Sequence, residues 1–495
     1  MTEAAGAAPR RVSRAAWLGV VWSNATFVVT RAVGFLGLVV LTRLLAPHDF
    51  GVVAAVLVIL GVLELGSDLG MRSSVIYEQE HGITDRVETA FTFGLVIAGA
   101  VAAVGFAVAP LLDGAFGIHG VTGLFRLALV NILLTGLGNV HDALLLREMA
   151  LKRRTLSEVA RGVVRAIVGI ALALAGLGAA SLVWGMLAGT AAWAATLWWL
   201  TRFVPSLSFD RRIARSMAAY GLGASALDAL AAITTRVDAA VIGRFLGSGA
   251  LGLYTVAFRV PEVVIQSVAW NVSEVVFPAL SRQRVLDSGG LPSVTTTLVR
   301  FQALYAFPAA VALAGLSGPL VTVLFGPRWQ KAAGVLAAVA VMTAVAALIH
   351  PVGDLLKAVG QQRILVAANL VLIPVIVVAI AVASSSGIVA VAWARVGSLG
   401  IFAVLLMIVT PRSLGLRWAG VLRAALPGLA AAAGMGIGVG AVRVLWPALS
   451  AGPLLTGAVA GTAVSALALR TLAPQTFGLL LTQLGGIVER RRAAK

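Results

Sequence analysis

The chain has 495 residues, of which 60% are hydrophobic and 12% are charged, with a mean hydropathy of +0.98. This composition is too apolar to cover an ordinary soluble protein, so most of the surface is expected to face lipid. The net charge of +18 does not indicate nucleic-acid binding, because no soluble domain with interleaved basic and aromatic residues accompanies it.

The apolar runs predict membrane-spanning helices. In hydrocarbon the backbone must satisfy its own hydrogen bonds, and these long runs exclude the ten-residue alternation of barrel strands. The sequence contains no cysteine, and its five histidines lack the spacing of metal ligands. We therefore expect no disulfide, no metal site and no cofactor.

The fold class predicted is an all-α polytopic membrane protein of about fourteen helices. The first span follows Arg10, Arg11 and Arg14 and has no cleavage signal, so it is expected to be retained. An amphipathic, basic tail over residues 479–492 is expected to lie at the interface and bind anionic membrane lipids. In chain order the predicted spans are 17–42, 50–76, 88–112, 122–146, 157–177, 179–201, 216–243, 250–280, 298–325, 332–357, 364–383, 387–410, 420–443 and 453–473.

The distribution of basic residues predicts the topology. Most of the 38 Lys and Arg residues fall at the two ends of the chain and in alternate loops, among them the segment Arg147–Arg154. The opposite loops hold only Arg43, Arg126, Arg244, Arg328, Lys331 and Arg443. Because basic loops stay in the cytoplasm, both termini and the Arg147–Arg154 loop are predicted to be cytoplasmic, in a plasma (inner) membrane.

An internal repeat organises the chain. The pattern R-x-L-x5-G occurs at Arg43 to Gly51 and again at Arg244 to Gly252, 201 residues later (244 − 43). Asp142 is loosely echoed by Asp354. The repeat predicts two parallel six-helix lobes, 1–201 and 202–410, followed by an extra helix pair and the tail over 411–495, with substrate bound between the lobes.

Several short stretches resemble a known family. Together they are similar to the polysaccharide transporter (Wzx-like) branch of the MOP flippase superfamily. The stretches are Leu41–Gly51, Leu65–Gly70, Leu145–Met149, Leu253–Arg259, Val276–Arg282 and Leu324–Trp329. Beyond residue 360 only the hydropathy is similar.

The resemblance implies a MATE-like fold and a flippase function. The expected substrate is a polyprenyl-diphosphate-linked glycan, a precursor of cell-surface polysaccharide, exported from the inner to the outer leaflet by alternating access. Polysaccharide polymerase and glycosyltransferase machinery are expected as further partners, and nucleic acid is not.

Charged side chains inside spans need a partner, a cavity or a function. Substrate binding is assigned to Arg31, Arg236 and Arg259, because guanidinium binds phosphate through paired hydrogen bonds and keeps its charge. The counter-charges or coupling carboxylates are Glu64, Asp68, Asp238 and Glu262. Secondary candidates are Arg72, Asp228, Gln266, Trp270 and Arg395.

Other interpretations stay open at this point. Each arginine could instead form a structural ion pair with an acid. This alternative fits Arg259 and Glu262 best, because they lie three residues apart. Pro261 between them is expected to weaken the backbone hydrogen bonds of its helix. At the level of function, a cation-coupled small-molecule exporter is the alternative, and a membrane glycan polymerase is a weaker one. No long loop carries a general acid and base, so the chain is predicted not to be an enzyme.

Overall fold

The computed structural model describes residues 31–68, 83–118, 120–148, 150–273, 290–410, 414, 416–476 and 478. Side chains are described for these residues except 65–68, 83–84, 151, 218–233 and 235. No strand occurs in these described ranges, which are almost entirely helical. The all-α fold class is therefore confirmed.

The first half of the chain contains six long helices and the start of a seventh. They are α1 (31–44), α2 (Pro47–Asp68), α3 (Ile83–Val108), α4 (Val121–Ala128 with Val130–Arg147), α5 (Leu151–Leu174) and α6 (Ala179–Thr201). A short helix, Leu111–Phe116, follows α3. The start of α2 is typical of helix N-termini, since Pro47 takes the first position and the Asp49 carboxylate accepts the Ala46 N–H at 2.9 Å.

The next helical run, Arg211–Pro261, contains two helices. At Gly247 the backbone takes φ 78° and ψ −179°, a conformation that favours glycine, and this residue separates α7 (211–246) from α8 (248–273). Within α8 a π-turn occupies Glu262–Gln266. The boundary between the predicted spans 216–243 and 250–280 lies at this interruption.

Six further long helices follow. They are α9 (Leu291–Gly315), α10 (Ala332–Ala358), α11 (Gln362–Ala383), α12 (Ile388–Val409), α13 (Trp418–Leu445) and α14 (Ala451–Leu472). The short helix Ser317–Leu324 and the 3-10 turn Pro327–Trp329 connect α9 to α10, and the 3-10 turn Ser384–Ser386 connects α11 to α12.

Each of the fourteen predicted spans overlaps one of these helices. Eleven segments among the described residues are long and apolar enough to cross a bilayer. Helix α5 is not among them, because it carries Lys152, Arg153, Arg154, Glu158, Arg161 and Arg165. Helix α1 is described only from residue 31. The count of fourteen stays a prediction.

One predicted loop is wrong in its boundaries. The sequence predicts a loop over Arg147–Arg154, whereas in the structure α4 runs to Arg147 and α5 begins at Leu151. The backbone N–H groups of Arg153 and Arg154 already donate to the Ala150 carbonyl. Hydropathy locates only the apolar part of a helix, whereas Lys and Arg are good helix formers and extend the helix beyond that part.

The chain divides by its internal contacts into two compact units, Met1–Gly252 and Leu253–Lys495. In the first unit Val87, Phe91, Val140 and Met217 join α3, α4 and α7 in one apolar cluster. In the second unit a corresponding cluster joins α9, α10 and α13 through Val299, Leu355, Val421 and Ala424. The predicted lobe boundaries, 1–201, 202–410 and 411–495, stay a prediction.

Helices α13 and α14 pack together through small residues. A Cβ added at Gly438 would lie 2.7 Å from the Cα of Gly461, and one added at Gly434 would lie 2.8 Å from the Cα of Ser465. Glycine at these positions allows the backbones to approach closely, as is common between helices in membranes. The predicted C-terminal pair is thus a closely packed helical hairpin.

Candidate functional site

Nine of the predicted site residues have described side chains, and all nine lie in helical segments. Arg72 lies outside the described residues, and the side chains of Asp68 and Asp228 also lie outside them, although their backbones are helical. The nine are Arg31, Glu64, Arg236, Asp238, Arg259, Glu262, Gln266, Trp270 and Arg395.

Arg236 of α7 is seated on the backbone of α2. Its Nη1 donates a hydrogen bond to the carbonyl oxygen of Leu57 at 2.7 Å. A Cβ added at Gly61, one turn after Leu57, would lie 1.5 Å from the same nitrogen. The guanidinium therefore occupies the space that a side chain at position 61 would fill, and only glycine permits this contact.

Among the described residues, the Arg236 guanidinium has a hydrogen-bond acceptor but no acid that neutralises its charge. Within the part of the chain that the structure describes, no carboxylate forms an ion pair with this guanidinium. An arginine at the bilayer centre costs about 2.5 to 3.5 kcal/mol on insertion scales, so a charge held in this way calls for an anion or for water. One donor contacts Leu57, and a planar guanidinium has five. The others are suited to a bidentate contact with a phosphate.

A second polar contact lies on the same face of α2. Glu64 is three residues after Gly61, and its Oε1 accepts a hydrogen bond from Nδ2 of the buried Asn131 in α4 at 2.7 Å. Arg236, Glu64 and Asn131 thus bring α7, α2 and α4 together around one polar face. This polar face of α2, together with the space beside Gly61, is the candidate site of the first unit.

Two contributors to this site were missed in the sequence. Asn131 carried a weak signal, since it is a lone amide in the apolar run Val130–Leu134, and amides in spans are usually hydrogen-bonded. Gly61 carried none, because the chain has 54 glycines and nothing local distinguishes this one.

Two other predicted residues of the first unit, Asp238 and Arg31, also have described side chains. Asp238 is buried, and its Oδ1 accepts the N–H of Ala239 at 2.8 Å. Arg31 is partly buried at the beginning of the described part of α1. The predicted convergence of Arg31, Arg236 and Arg259 on one space stays a prediction.

In the second unit, Arg259 and Glu262 form an ion pair. Nη1 of Arg259 lies 2.8 Å from Oε2 of Glu262, with 45% of the arginine side chain and 13% of the glutamate side chain exposed. This is the pair expected from their spacing. Helix α8 continues through Gln266 to Trp270, which is partly exposed, while Arg395 is buried in α12.

The echoed aspartates are both paired with a base. Oδ1 of the buried Asp142 lies 2.7 Å from Nε of Arg154, joining α4 to α5. Oδ1 of the buried Asp354 lies 3.8 Å from Nζ of Lys357 in α10. The internal repeat therefore places a buried acid and a nearby base at corresponding helices, and we assign these pairs to the scaffold.

Comparison with known proteins identifies the family. A family model described as polysaccharide biosynthesis protein matches residues 40–334, which is more than half of the chain. The succinoglycan biosynthesis transport protein ExoT of Rhizobium meliloti (strain 1021) is 26% identical over 349 residues, covering 70% of this chain and 69% of its own. The lipopolysaccharide biosynthesis protein WzxC of Escherichia coli (strain K12) is 23% identical over 379 residues, covering 75% and 76%.

Solved structures establish the fold. The chain is similar to the lipid II flippase MurJ in an inward closed conformation, with a TM-score of 0.76 and 15% identity, covering 92% of this chain and 99% of that one. It is also similar to an inward-facing multidrug resistance MATE transporter of the MOP superfamily, with a TM-score of 0.63 and 14% identity, covering 82% and 98%. The MATE-like fold and the Wzx-like resemblance are thus confirmed. The chain is a multi-pass membrane protein and belongs to the polysaccharide biosynthesis protein family.

Proposed function

We propose that this chain exports a polyprenyl-diphosphate-linked oligosaccharide, a precursor of a cell-surface polysaccharide, from the inner to the outer leaflet by alternating access. Membership of the polysaccharide biosynthesis protein family supports this proposal, and two relatives are named for succinoglycan biosynthesis transport and for lipopolysaccharide biosynthesis. The fold, similar to that of the lipid II flippase MurJ, supports it further.

The proposal depends most on the position of the Arg236 guanidinium, which lies in the space beside Gly61. A diphosphate cannot cross hydrocarbon while its charge is uncompensated, and a guanidinium that keeps its proton compensates it through two parallel hydrogen bonds. The Leu57 carbonyl holds Arg236 in position, and no acid in the described part of the chain forms an ion pair with it. We assign the diphosphate contact to Arg236, with Arg31 and Arg259 as further contributors.

The carboxylates are assigned a supporting role. Glu64, hydrogen-bonded to Asn131, and the buried Asp238 lie on α2 and α7, the two helices that position Arg236, and we propose them as counter-charges or coupling carboxylates during transport. Asp68 and Glu262 are proposed as further counter-charges, and Arg72, Asp228 and Arg395 stay secondary candidates.

We further propose that the chain lies in the plasma (inner) membrane with both termini cytoplasmic. Anionic lipids are proposed to bind its basic tail, and polymerase and glycosyltransferase machinery to receive or supply its substrate. The family assignment favours transport over bond-making chemistry. A cation-coupled small-molecule exporter would not require an anion-binding site. The geometry around Arg236 therefore favours the glycan flippase.

Deletion of the gene tests the proposal most directly. We expect the lipid-linked glycan to accumulate in the inner leaflet and the corresponding surface polysaccharide to disappear, with both restored by the wild-type chain. A deletion strain that keeps its surface polysaccharide and its pool of lipid-linked intermediates, and instead becomes sensitive to small cationic drugs, would establish the alternative exporter function.

A further inference from the structure

Helix α8 departs from α-helical geometry directly after Pro261. Pro261 has no N–H to donate, and the next five residues, Glu262–Gln266, form a π-turn that ends with the Ser267 N–H bonded to the Glu262 carbonyl. The Ser267 hydroxyl donates to the same carbonyl at 2.9 Å. A π-turn has poorer backbone geometry than an α-helix and occurs frequently at functional sites. This turn therefore calls for a function.

A tyrosine of α9 is fixed against the π-turn. The Tyr305 hydroxyl donates a hydrogen bond to the Val264 carbonyl, in the middle of the turn. The residue nevertheless keeps 40% of its surface exposed. The hydrogen bond thus fixes the tyrosine beside α8 with part of its surface uncovered by other described residues.

Trp270 lies on the polar face of α8. Arg259, Glu262, Gln266 and Trp270 follow one another at spacings of three, four and four residues, which places them along one face of the helix. A face that carries an ion pair and an amide is not a lipid-facing surface, because lipid offers no hydrogen bonds to such groups. Trp270, of which 41% is exposed, follows these polar residues along the same face.

Two amide oxygens near the turn have unused capacity to accept hydrogen bonds. Oε1 of Gln266 in α8 and Oε1 of Gln302 in α9 are buried and receive no hydrogen bond from the described residues. Gln302 lies one helical turn before Tyr305. Buried polar atoms are normally paired, so these oxygens require a donor. The oxygens of a diphosphate only accept hydrogen bonds at neutral pH, whereas the hydroxyl groups of a sugar donate them.

Resting on the proposed function, we propose that the surface around this π-turn is a sugar subsite, formed by Gln266 and Trp270 of α8 and by Gln302 and Tyr305 of α9. The two partly exposed rings pack against the apolar faces of the sugar rings, and the two amides, whose oxygens are covered in this conformation, accept hydrogen bonds from sugar hydroxyls when the site opens during transport. The subsite recognises the glycan next to the diphosphate rather than the diphosphate or the lipid.

Two lipid probes separate sugar recognition from diphosphate recognition. One is polyprenyl diphosphate bearing a single hexose, and the other is the bare polyprenyl diphosphate, each titrated into the full-length chain in nanodiscs. For Gln266→Leu, Gln302→Leu and Trp270→Ala we expect affinity for the hexose-bearing probe to fall on the order of tenfold each, and affinity for the bare probe to change by less than about twofold.

Thermal unfolding separates a binding role from a structural one. Replacing an unpaired buried amide by an apolar side chain of similar size removes an unsatisfied group, so Gln266→Leu and Gln302→Leu are expected to keep or raise the unfolding midpoint while weakening sugar binding. Trp184→Ala in α6 is the matched control for Trp270→Ala, because 45% of Trp184 is exposed, and it should leave binding of both probes unchanged.

The outcomes distinguish the subsite from the function on which it rests. Variants that weaken both probes equally, or that leave the hexose-bearing probe unchanged while the wild type binds it, overturn the sugar subsite and leave the flippase proposal intact. A wild-type chain that binds neither probe overturns the proposed function and the subsite with it.

Discussion

Gly51 of α2 lies against the backbone of Ser248 in α8, so closely that a Cβ added at Gly51 would sit 1.7 Å from the Ser248 carbonyl oxygen. The reciprocal contact is present as well, since a Cβ at Gly252 would sit 1.8 Å from the Pro47 carbonyl oxygen. Pro47 and Ser248 occupy equivalent positions of the internal repeat, as do Gly51 and Gly252. The repeated motif thus makes the first turns of α2 and α8 pack on each other.

We expect Gly51→Ala to destabilise the protein. The added methyl group meets a backbone carbonyl rather than a flexible side chain, so the two helices must separate, at a cost of about 1–3 kcal/mol. The measurement is the thermal unfolding midpoint of the purified chain in detergent. Gly249→Ala is the matched control in the same motif, because a Cβ there has no neighbour within 4 Å. Equal midpoints for the two variants would show that the contact contributes nothing.

The Gly51 contact also shows what the sequence reveals and what it hides. The repeat was visible in R-x-L-x5-G, and the Arg259–Glu262 pair was visible in its three-residue spacing, because both are local patterns. The seat of Arg236 on Gly61 and the hydrogen bond between Asn131 and Glu64 join residues far apart in sequence. Such contacts depend on how helices pack, and hydrophobic periodicity does not encode packing partners.

The same reasoning explains the π-turn and the early start of α5. Pro261 indicated a weakened backbone, but the choice between a kink and a π-turn depends on partners such as Ser267 and Tyr305. The polar first turns of α5 were assigned to a loop because apolar residues alone marked the span.

Arg236→Ala is expected to abolish transport while leaving the abundance of the protein near normal. The side chain forms no ion pair in the described part of the chain, so its removal strands no carboxylate there. Arg236→Lys should restore transport only partly, because an ammonium keeps the charge but lacks the bidentate fork. The measurement is surface polysaccharide in a deletion strain that carries each variant. Arg215→Ala, at an exposed position near the start of the same helix, is the control.

Gly61→Ala should reproduce the transport defect of Arg236→Ala without touching the arginine. Its methyl group would occupy the place of the guanidinium and move the charge away from α2. Gly99→Ala in α3, where a Cβ meets nothing within 4 Å, should transport normally. If Gly61→Ala transports as well as Gly99→Ala, the position of Arg236 is not what matters for binding the substrate.

Variants of the Arg259–Glu262 pair distinguish a structural role of Arg259 from a role in binding the substrate. Glu262→Ala leaves Arg259 without the 2.8 Å contact and should lower protein abundance, and the double variant Arg259→Ala/Glu262→Ala should recover it. We expect the double variant to remain poor in transport, because the proposed phosphate contact of Arg259 is still missing. Recovery of both abundance and transport would make the pair purely structural.

The last prediction concerns topology, and the absence of cysteine makes it simple to test. Single cysteines at Lys152 and Arg211, both exposed positions near the starts of α5 and α7, are expected to be cytoplasmic, because their surroundings are rich in basic residues. A cysteine at Ser385, exposed in the turn between α11 and α12, and a reporter fused after Gly117 should face outward. A membrane-impermeant thiol reagent should therefore label only Ser385→Cys in intact cells, and all three cysteines after permeabilisation. The number of helices between Arg211 and Ser385 fixes their relative sides, so labelling of both in intact cells would mean that one of the helices α7 to α11 does not cross the membrane.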